Sequence, residues 1–154
     1  MKESSKDVQF EVFDAFHQMA EDEKQQAVQF LHRHLERFGD EASAIRKAID
    51  YALKDIPSFG GFVLKGSLEN KAIGYVVVNA TGMGGYIPEN ILVYIATDAE
   101  LRGKGLGKSL LQKTFALAHG DIALHVEPDN PAKRLYEREG FTNKYLEMRR
   151  SHKA

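Results

Sequence analysis

The sequence predicts an α+β fold in which a mixed central sheet is flanked by helices in α/β-like layers. Three observations point to it. Apolar residues recur at helical spacing between residues 22 and 56 and in strand-like runs after residue 61. The inferred elements follow the order β, αα, βββ, α, β, α, β, which mixes sheet and helix throughout. A glycine-rich turn, Arg102-Gly103-Lys104-Gly105-Leu106-Gly107, joins an apolar run to an amphipathic one. At 154 residues the chain is expected to form one domain, over residues 7–150, large enough to bury a core.

Taken in order, Val8, Phe10 and Val12 alternate with Gln9 and Glu11, a half-buried strand over residues 7–13. Ala27, Phe30, Leu31, Leu35 and Phe38 lie on one face of a helix over 22–38, with Asp22 as cap and Gly39 as stop. A second helix over 41–56 buries Ala44, Ile45, Ala48, Ile49, Ala52 and Leu53, and Pro57 ends it. Residues 61–65 and 72–79 are strands joined at Ser67-Leu68-Glu69-Asn70. A loop with three glycines, 81–85, leads to a strand over 91–97. The glycine-rich turn and a helix to about residue 119 follow, then a strand over 122–126. Pro128-Asp129-Asn130-Pro131 starts a helix over 132–139, and 141–148 alternates as a last strand. Residues 1–6 and 151–154 are expected to fray.

Composition narrows the function classes. The apolar fraction is 43%, the charged fraction 28% and the net charge −1, so no global field favours nucleic acid or an anionic membrane. With no cysteine there is no disulfide, thiolate metal site or cysteine nucleophile. His32 and His34, two apart on a helix, point in different directions, and no metal site is expected. No apolar run is long enough to span a bilayer, and no signal-peptide core follows the polar start. A cytoplasmic protein is the expectation.

The glycine-rich turn carries the chemistry. Glycines admit positive φ and close approach of a ligand, and the first turn of a helix offers free N–H groups at the positive end of its dipole. With Arg102, Lys104 and Lys108 these make a phosphate or pyrophosphate site. A solvated basic turn is the plainer alternative. A Walker A loop is excluded, because the position five residues before Gly107 is Arg102. The even spacing of Gly103, Gly105 and Gly107 also excludes the G-x-G-x-x-G fingerprint.

Two segments resemble one family. Ile95-Ala96-Thr97-Asp98-Ala99-Glu100-Leu101-Arg102-Gly103-Lys104-Gly105-Leu106-Gly107 resembles the acetyl-CoA-binding motif of GNAT N-acyltransferases, Arg/Gln-x-x-Gly-x-Gly/Ala. Leu135-Tyr136-Glu137-Arg138-Glu139-Gly140-Phe141 resembles that family's Leu-Tyr-x-x-x-Gly-Phe segment. The likeness covers residues 61–148 well and the first helices by type. It departs at Asn130, six and not seven residues before Tyr136, which leaves Asp129 or Asn130 for the family's Asn. It departs again at Glu139, where an apolar residue is usual.

The resemblance implies a GNAT-like fold with a mostly antiparallel sheet. It implies acetyl-CoA as the acyl donor and transfer of acetyl to a primary amine of a small molecule or peptide. The pyrophosphate would sit on Arg102, Gly103, Lys104, Gly105, Leu106, Gly107 and Lys108, and the pantetheine arm on the backbone of Ile95 and Thr97. Asn130 and Tyr136 would complete the donor site. Tyr136 would be the general acid to the leaving thiolate, since a phenol near pKa 10 lies above a thiol near 8.5. A packed core tyrosine is the alternative. The base that frees the amine is open among Glu89, His125 and Glu127, and Tyr51, Phe59, Tyr86 and Tyr94 are candidates to line the acceptor side. The loop over 81–85 is a candidate lid. Lys144, Arg149, Arg150 and Lys153 read as a solvated basic end. An exposed last strand would offer an edge for a homodimer. The rival reading is a non-catalytic acyl-CoA-binding or interaction module on the same fold. A nucleotide-phosphate-binding protein is a more distant one.

Overall fold

The computed structural model describes residues 7–152. The fraying expected of residues 1–6 and 153–154, and Lys153 of the basic end, lie outside them. The elements are β1 (Gln9–Phe13), α1 (Glu21–Leu35), α2 (Ala42–Leu53), β2 (Gly61–Leu68), β3 (Lys71–Ala80), β4 (Asn90–Thr97), α3 (Leu106–Leu117), β5 (Ile122–Ala123) and α4 (Ala132–Arg138), with 3-10 turns at Glu36–Phe38 and Ala99–Leu101. The chain divides into two units. One runs to Leu124 and holds the sheet with α1–α3; the other starts at His125 and holds α4.

The five strands lie in chain order, β1-β2-β3-β4-β5, antiparallel until the last pair, which is parallel. This is the predicted mixed, mostly antiparallel sheet. Sequence explains the order: a two-residue turn at Glu69 and Asn70, both at positive φ, closes β2 onto β3. A parallel neighbour for β4 needs a crossover, which α3 supplies.

The two faces are covered by different helices. On one, α1 and α2 pack Ala27, Leu31, Ile45, Ile49 and Leu53 against Val63, Tyr75, Val77, Tyr94 and Ala96. Each such fully buried Leu or Ile side chain contributes about 1.5–3 kcal/mol relative to exposure. On the other, Leu110 of α3 lies over Gly66 and Gly74, where a Cβ on Gly74 would stand 2.5 Å from Leu110 Cδ1. Lys24 is buried in α1. Its Nζ donates to Asp50 at 2.9 Å and also to Asp55, so the charge is paired on two sides.

Several boundaries differ from expectation. α1 begins at Glu21 with Ala20 as its N-cap, so Asp22 is in the acidic first turn and is not the cap. The helical face does not continue unbroken to Phe38. Glu36 takes φ 57° and ψ −133°, and the chain tightens into a 3-10 turn that ends at Gly39. β5 is two residues long where 122–126 is predicted. No strand forms over residues 141–148, where Tyr145, Leu146 and Met148 are exposed. Alternation supplies a strand's side-chain period but not a neighbour to bond. The edge on which the homodimer expectation rested is therefore absent among the described residues.

Candidate active site

β4 is the axis of the site. It pairs β3 with one irregularity: Val77 faces Tyr94 and Val78 faces Leu92, so Val93 is an extra residue, a β-bulge. The bulge turns the strand over. Leu92 pairs with Val78 on the α3 face, whereas Tyr94 and Ala96 join the α1/α2 core. Apolar residues run without a break from Ile91 to Ala96. Either face is therefore tolerated, and the run itself does not mark the bulge.

On its other side, β4 pairs β5 only at Asn90↔Ile122 and Ile91↔Ala123. Asn90 clamps this end. Its backbone N–H donates to the Asp121 carbonyl at 3.0 Å, and its Nδ2 to the His119 carbonyl at 2.8 Å. From Leu92 to Thr97 the edge has no strand partner among the described residues, and Ile95 and Thr97 lie on this stretch. Backbone groups there are free to pair an extended ligand.

The strand leads through the 3-10 turn Ala99–Leu101 into the glycine-rich turn. Asp98 is buried and accepts the Glu100 N–H at 2.9 Å, which fixes the first bend. Gly103 and Gly105 have φ of 85° and 78°, and Gly105 is the N-cap of α3. A Cβ at either would meet nothing within 4 Å, so the turn is open to a ligand. The first helical bond runs from the Ser109 N–H to Gly105 O at 3.0 Å, leaving the N–H groups of Leu106, Gly107 and Lys108 without acceptors inside the helix. Leu106 is buried beneath, while Lys104 and Lys108 are exposed. This donor set fits a pyrophosphate.

Arg102 is placed differently from its neighbours. Its Nη2 donates to the His34 carbonyl at 3.1 Å and lies 3.8 Å from the Glu36 carboxylate. The Ala99 N–H in turn donates to His34 Nδ1 at 3.1 Å. The end of α1 thus braces the turn from behind. Burial holds the His34 imidazole below its usual pKa, with Asp98 opposing and Arg33 and Arg102 adding to the effect.

In the second unit, Asn130 Oδ1 accepts the Ala132 N–H at 2.9 Å and so shapes the start of α4. Tyr136 on α4 is buried, its ring edge-on to Phe141 at 5.9 Å between centroids. Its hydroxyl makes no hydrogen bond to a described residue, and burial pushes the phenol up to about 12. His125 and Glu127 are exposed.

Other sequence candidates have structural tasks. Glu89 Oε1 accepts the Asp121 N–H at 2.8 Å, and that bond lowers its pKa, which makes it a weaker base. Tyr51 donates to the Ala80 carbonyl at 2.7 Å. Phe59 and Tyr86 are exposed, and Phe59 covers Gly82. The 81–85 loop is tied at Thr81, whose N–H donates to Glu89 O at 2.9 Å and whose hydroxyl donates to Pro88 O at 2.8 Å. A contact that the sequence did not signal joins Tyr94 to Asp40, 54 residues apart. The tyrosine hydroxyl donates to Asp40 Oδ2 at 2.6 Å.

Among the described residues no helix is long and apolar enough to cross a membrane, and no three acidic or histidine side chains gather as metal ligands. No curated protein matches the sequence. The fold is similar to a possible acetyltransferase from Clostridium difficile 630, at 17% identity and a TM-score of 0.66, over 94% of this chain and 98% of that one. It is also similar to a transcriptional regulator from Bacillus halodurans C-125, at 18% identity and a TM-score of 0.65, over 94% and 100%. A third similar structure is the aminoglycoside N-acetyltransferase AAC(6')-Iy in complex with CoA, at 12% identity and a TM-score of 0.64, over 96% and 97%. These likenesses establish the fold. The family comes from sequence: a family model described as an acetyltransferase (GNAT) domain matches residues 60–143, more than half of the chain. On that match the chain belongs to the GNAT acetyltransferase family.

Proposed function

We propose that this protein is an N-acetyltransferase that moves the acetyl group of acetyl-CoA to a primary amine of a small molecule or peptide. The single observation that carries the reading is continuity. The unpaired edge of β4 is followed, through the 3-10 turn Ala99–Leu101, by three N–H groups without acceptors in the helix at the start of α3. A donor with an extended amide arm and a pyrophosphate at its far end matches that sequence of groups. Membership in the family and the CoA bound to a protein of similar fold support the donor, and that protein's name supports an amine acceptor.

In this reading the N–H groups of Gly103, Lys104, Gly105, Leu106, Gly107 and Lys108 hold the pyrophosphate, and the ammonium groups of Lys104 and Lys108 add charge. Arg102 reaches the ligand by exchanging Glu36 for phosphate, or braces the turn from where it lies. Ile95 and Thr97 pair with the pantetheine amides, and a backbone N–H near Ile95 polarises the thioester carbonyl. Asn130 contributes a further donor contact. The acceptor ammonium gives one proton to water, the neutral amine attacks the carbonyl carbon, a C–N bond forms, and the C–S bond breaks. Tyr136 gives its proton to the departing thiolate. The nitrogen releases a further proton to water, from which Tyr136 is reprotonated. Its raised pKa keeps the phenol protonated and able to donate a hydrogen bond to the sulfur as the negative charge develops there.

The test is thermal stability with CoA, acetyl-CoA and ATP added separately. Stabilisation by both CoA forms and not by ATP is expected. Stabilisation by ATP alone would overturn the reading.

A further inference from the structure

We propose that Asp40 binds the positively charged amino group of the acceptor, and that Tyr94 is the positioning residue that holds the carboxylate over β4. The inference rests on the acyltransfer reading above and names the acceptor side of that same site.

Without Val93 as an extra residue, Tyr94 would share the α3 face with Leu92. With it, Tyr94 stands among the α1/α2 core residues and is 8% exposed. Its phenol is held above the ordinary range by burial and by Asp40, so the proton stays on oxygen and the hydroxyl acts as a donor. Asp40 Oδ2 takes that bond. Asp40 itself is exposed, and its Oδ1 has no partner among the described residues. A carboxylate has room for several donors, and one bond leaves most of that capacity free.

The chain makes an unfavourable turn to put Asp40 there. Glu36 has a positive φ that side chains rarely adopt, and it opens the tight 3-10 turn that ends just before Asp40. The result is a single carboxylate fixed from below on the α1/α2 face. Its support, Tyr94, is directly next to Ile95, where the reading above places the thioester carbonyl. Alkyl amines titrate near pKa 10.4, so an acceptor arrives as an ammonium ion. The free Oδ1 then forms a charge-assisted hydrogen bond to it, and the bound ammonium gives one proton to water before the nitrogen attacks.

The test is steady-state kinetics with acetyl-CoA and a panel comprising a monoamine, a diamine, a lysine-containing peptide and an aminoglycoside. Asp40→Asn retains an oxygen for the Tyr94 hydroxyl and removes the charge. A charged hydrogen bond lost in this way raises the amine KM by about tenfold or more, while the acetyl-CoA KM and the melting temperature stay near wild type. Asp40→Glu recovers part of the loss. Tyr94→Phe, which leaves the carboxylate charged but unheld, raises the amine KM less. A staple between loop and sheet predicts the reverse: stability falls in Tyr94→Phe and the amine KM does not move in Asp40→Asn. That result, with the wild type active, would overturn the inference and leave the acyltransfer reading standing. No turnover of any amine by the wild type would sink both.

Discussion

Gly105→Ala separates what the glycine-rich turn does for folding from what it does for binding. Gly105 has φ 78° and caps α3, and an added Cβ would meet no atom within 4 Å. The cost to folding is therefore conformational only, about 1–2 kcal/mol for an L-residue in the left-handed region. For a chain of this length that lowers Tm by about 2–8 °C. The cost to binding is separate. In the proposed donor site, a methyl group at the open turn would stand where the pyrophosphate approaches the N–H groups of Leu106, Gly107 and Lys108. Each charge-assisted hydrogen bond lost is about 1.5–3 kcal/mol, a fall of about 10–100-fold in affinity. Gly61→Ala is the opposite control. There the Cβ would lie 2.0 Å from the Val78 carbonyl oxygen and 2.9 Å from its carbon, both backbone atoms. Overpacking of that kind costs about 3 kcal/mol or more, with no specific effect on CoA in any protein that still folds. Thermal melting and calorimetric CoA titration of both variants measure the two costs. A folded Gly105→Ala that binds CoA as well as wild type would refute the assignment of the turn.

Three further outcomes follow from named contacts. Because folding lowers the His34 pKa, the folded state favours neutral imidazole. Its contribution is present above pH 6.5 and is lost as the pH falls through the lowered folded value. Melting wild type and His34→Gln from pH 7.5 to 5 should show the larger fall in wild type, and equal falls would contradict the role given to the Ala99 contact. Lys24→Met leaves Asp50 and Asp55 without their shared cation and is expected to cost about 2–3 kcal/mol in urea unfolding, near the lower end for a broken buried pair because both carboxylates are partly exposed. A change below about 0.5 kcal/mol, the ordinary surface range, would show that the pair contributes little. Glu89→Gln keeps an oxygen for the Asp121 N–H and should leave turnover within about twofold of wild type, whereas a general base would lose about 10²-fold or more.

Much of the fold is legible in the sequence because it is local. The stripe of Ile45, Ile49 and Leu53, the turn at Glu69-Asn70 and the glycines before α3 each declare an element within a few residues. What is not legible depends on distant partners. β5 stops at Ala123, although Leu124 and Val126 continue its apolar pattern, and 141–148 alternates without becoming a strand. The bulge at Val93 is silent because the register with β3 decides it and Ile91 to Ala96 are all apolar or amphipathic. The glycine-rich turn is legible because its glycines and cations are contiguous. The Tyr94–Asp40 pair is not, because 54 residues separate its members and nothing in either neighbourhood announces the other.

Acyl transfer to an amine with Tyr136 as proton donor makes the thiol a product of every turnover. It is tested most directly by following thiol release from acetyl-CoA across an amine panel, with wild type and Tyr136→Phe side by side. Release should depend on the amine. The variant should lose turnover by about 10²-fold, in the range of a general acid, while its CoA affinity is retained. Amine-independent release, or a Tyr136→Phe enzyme as fast as wild type across pH, would contradict the account.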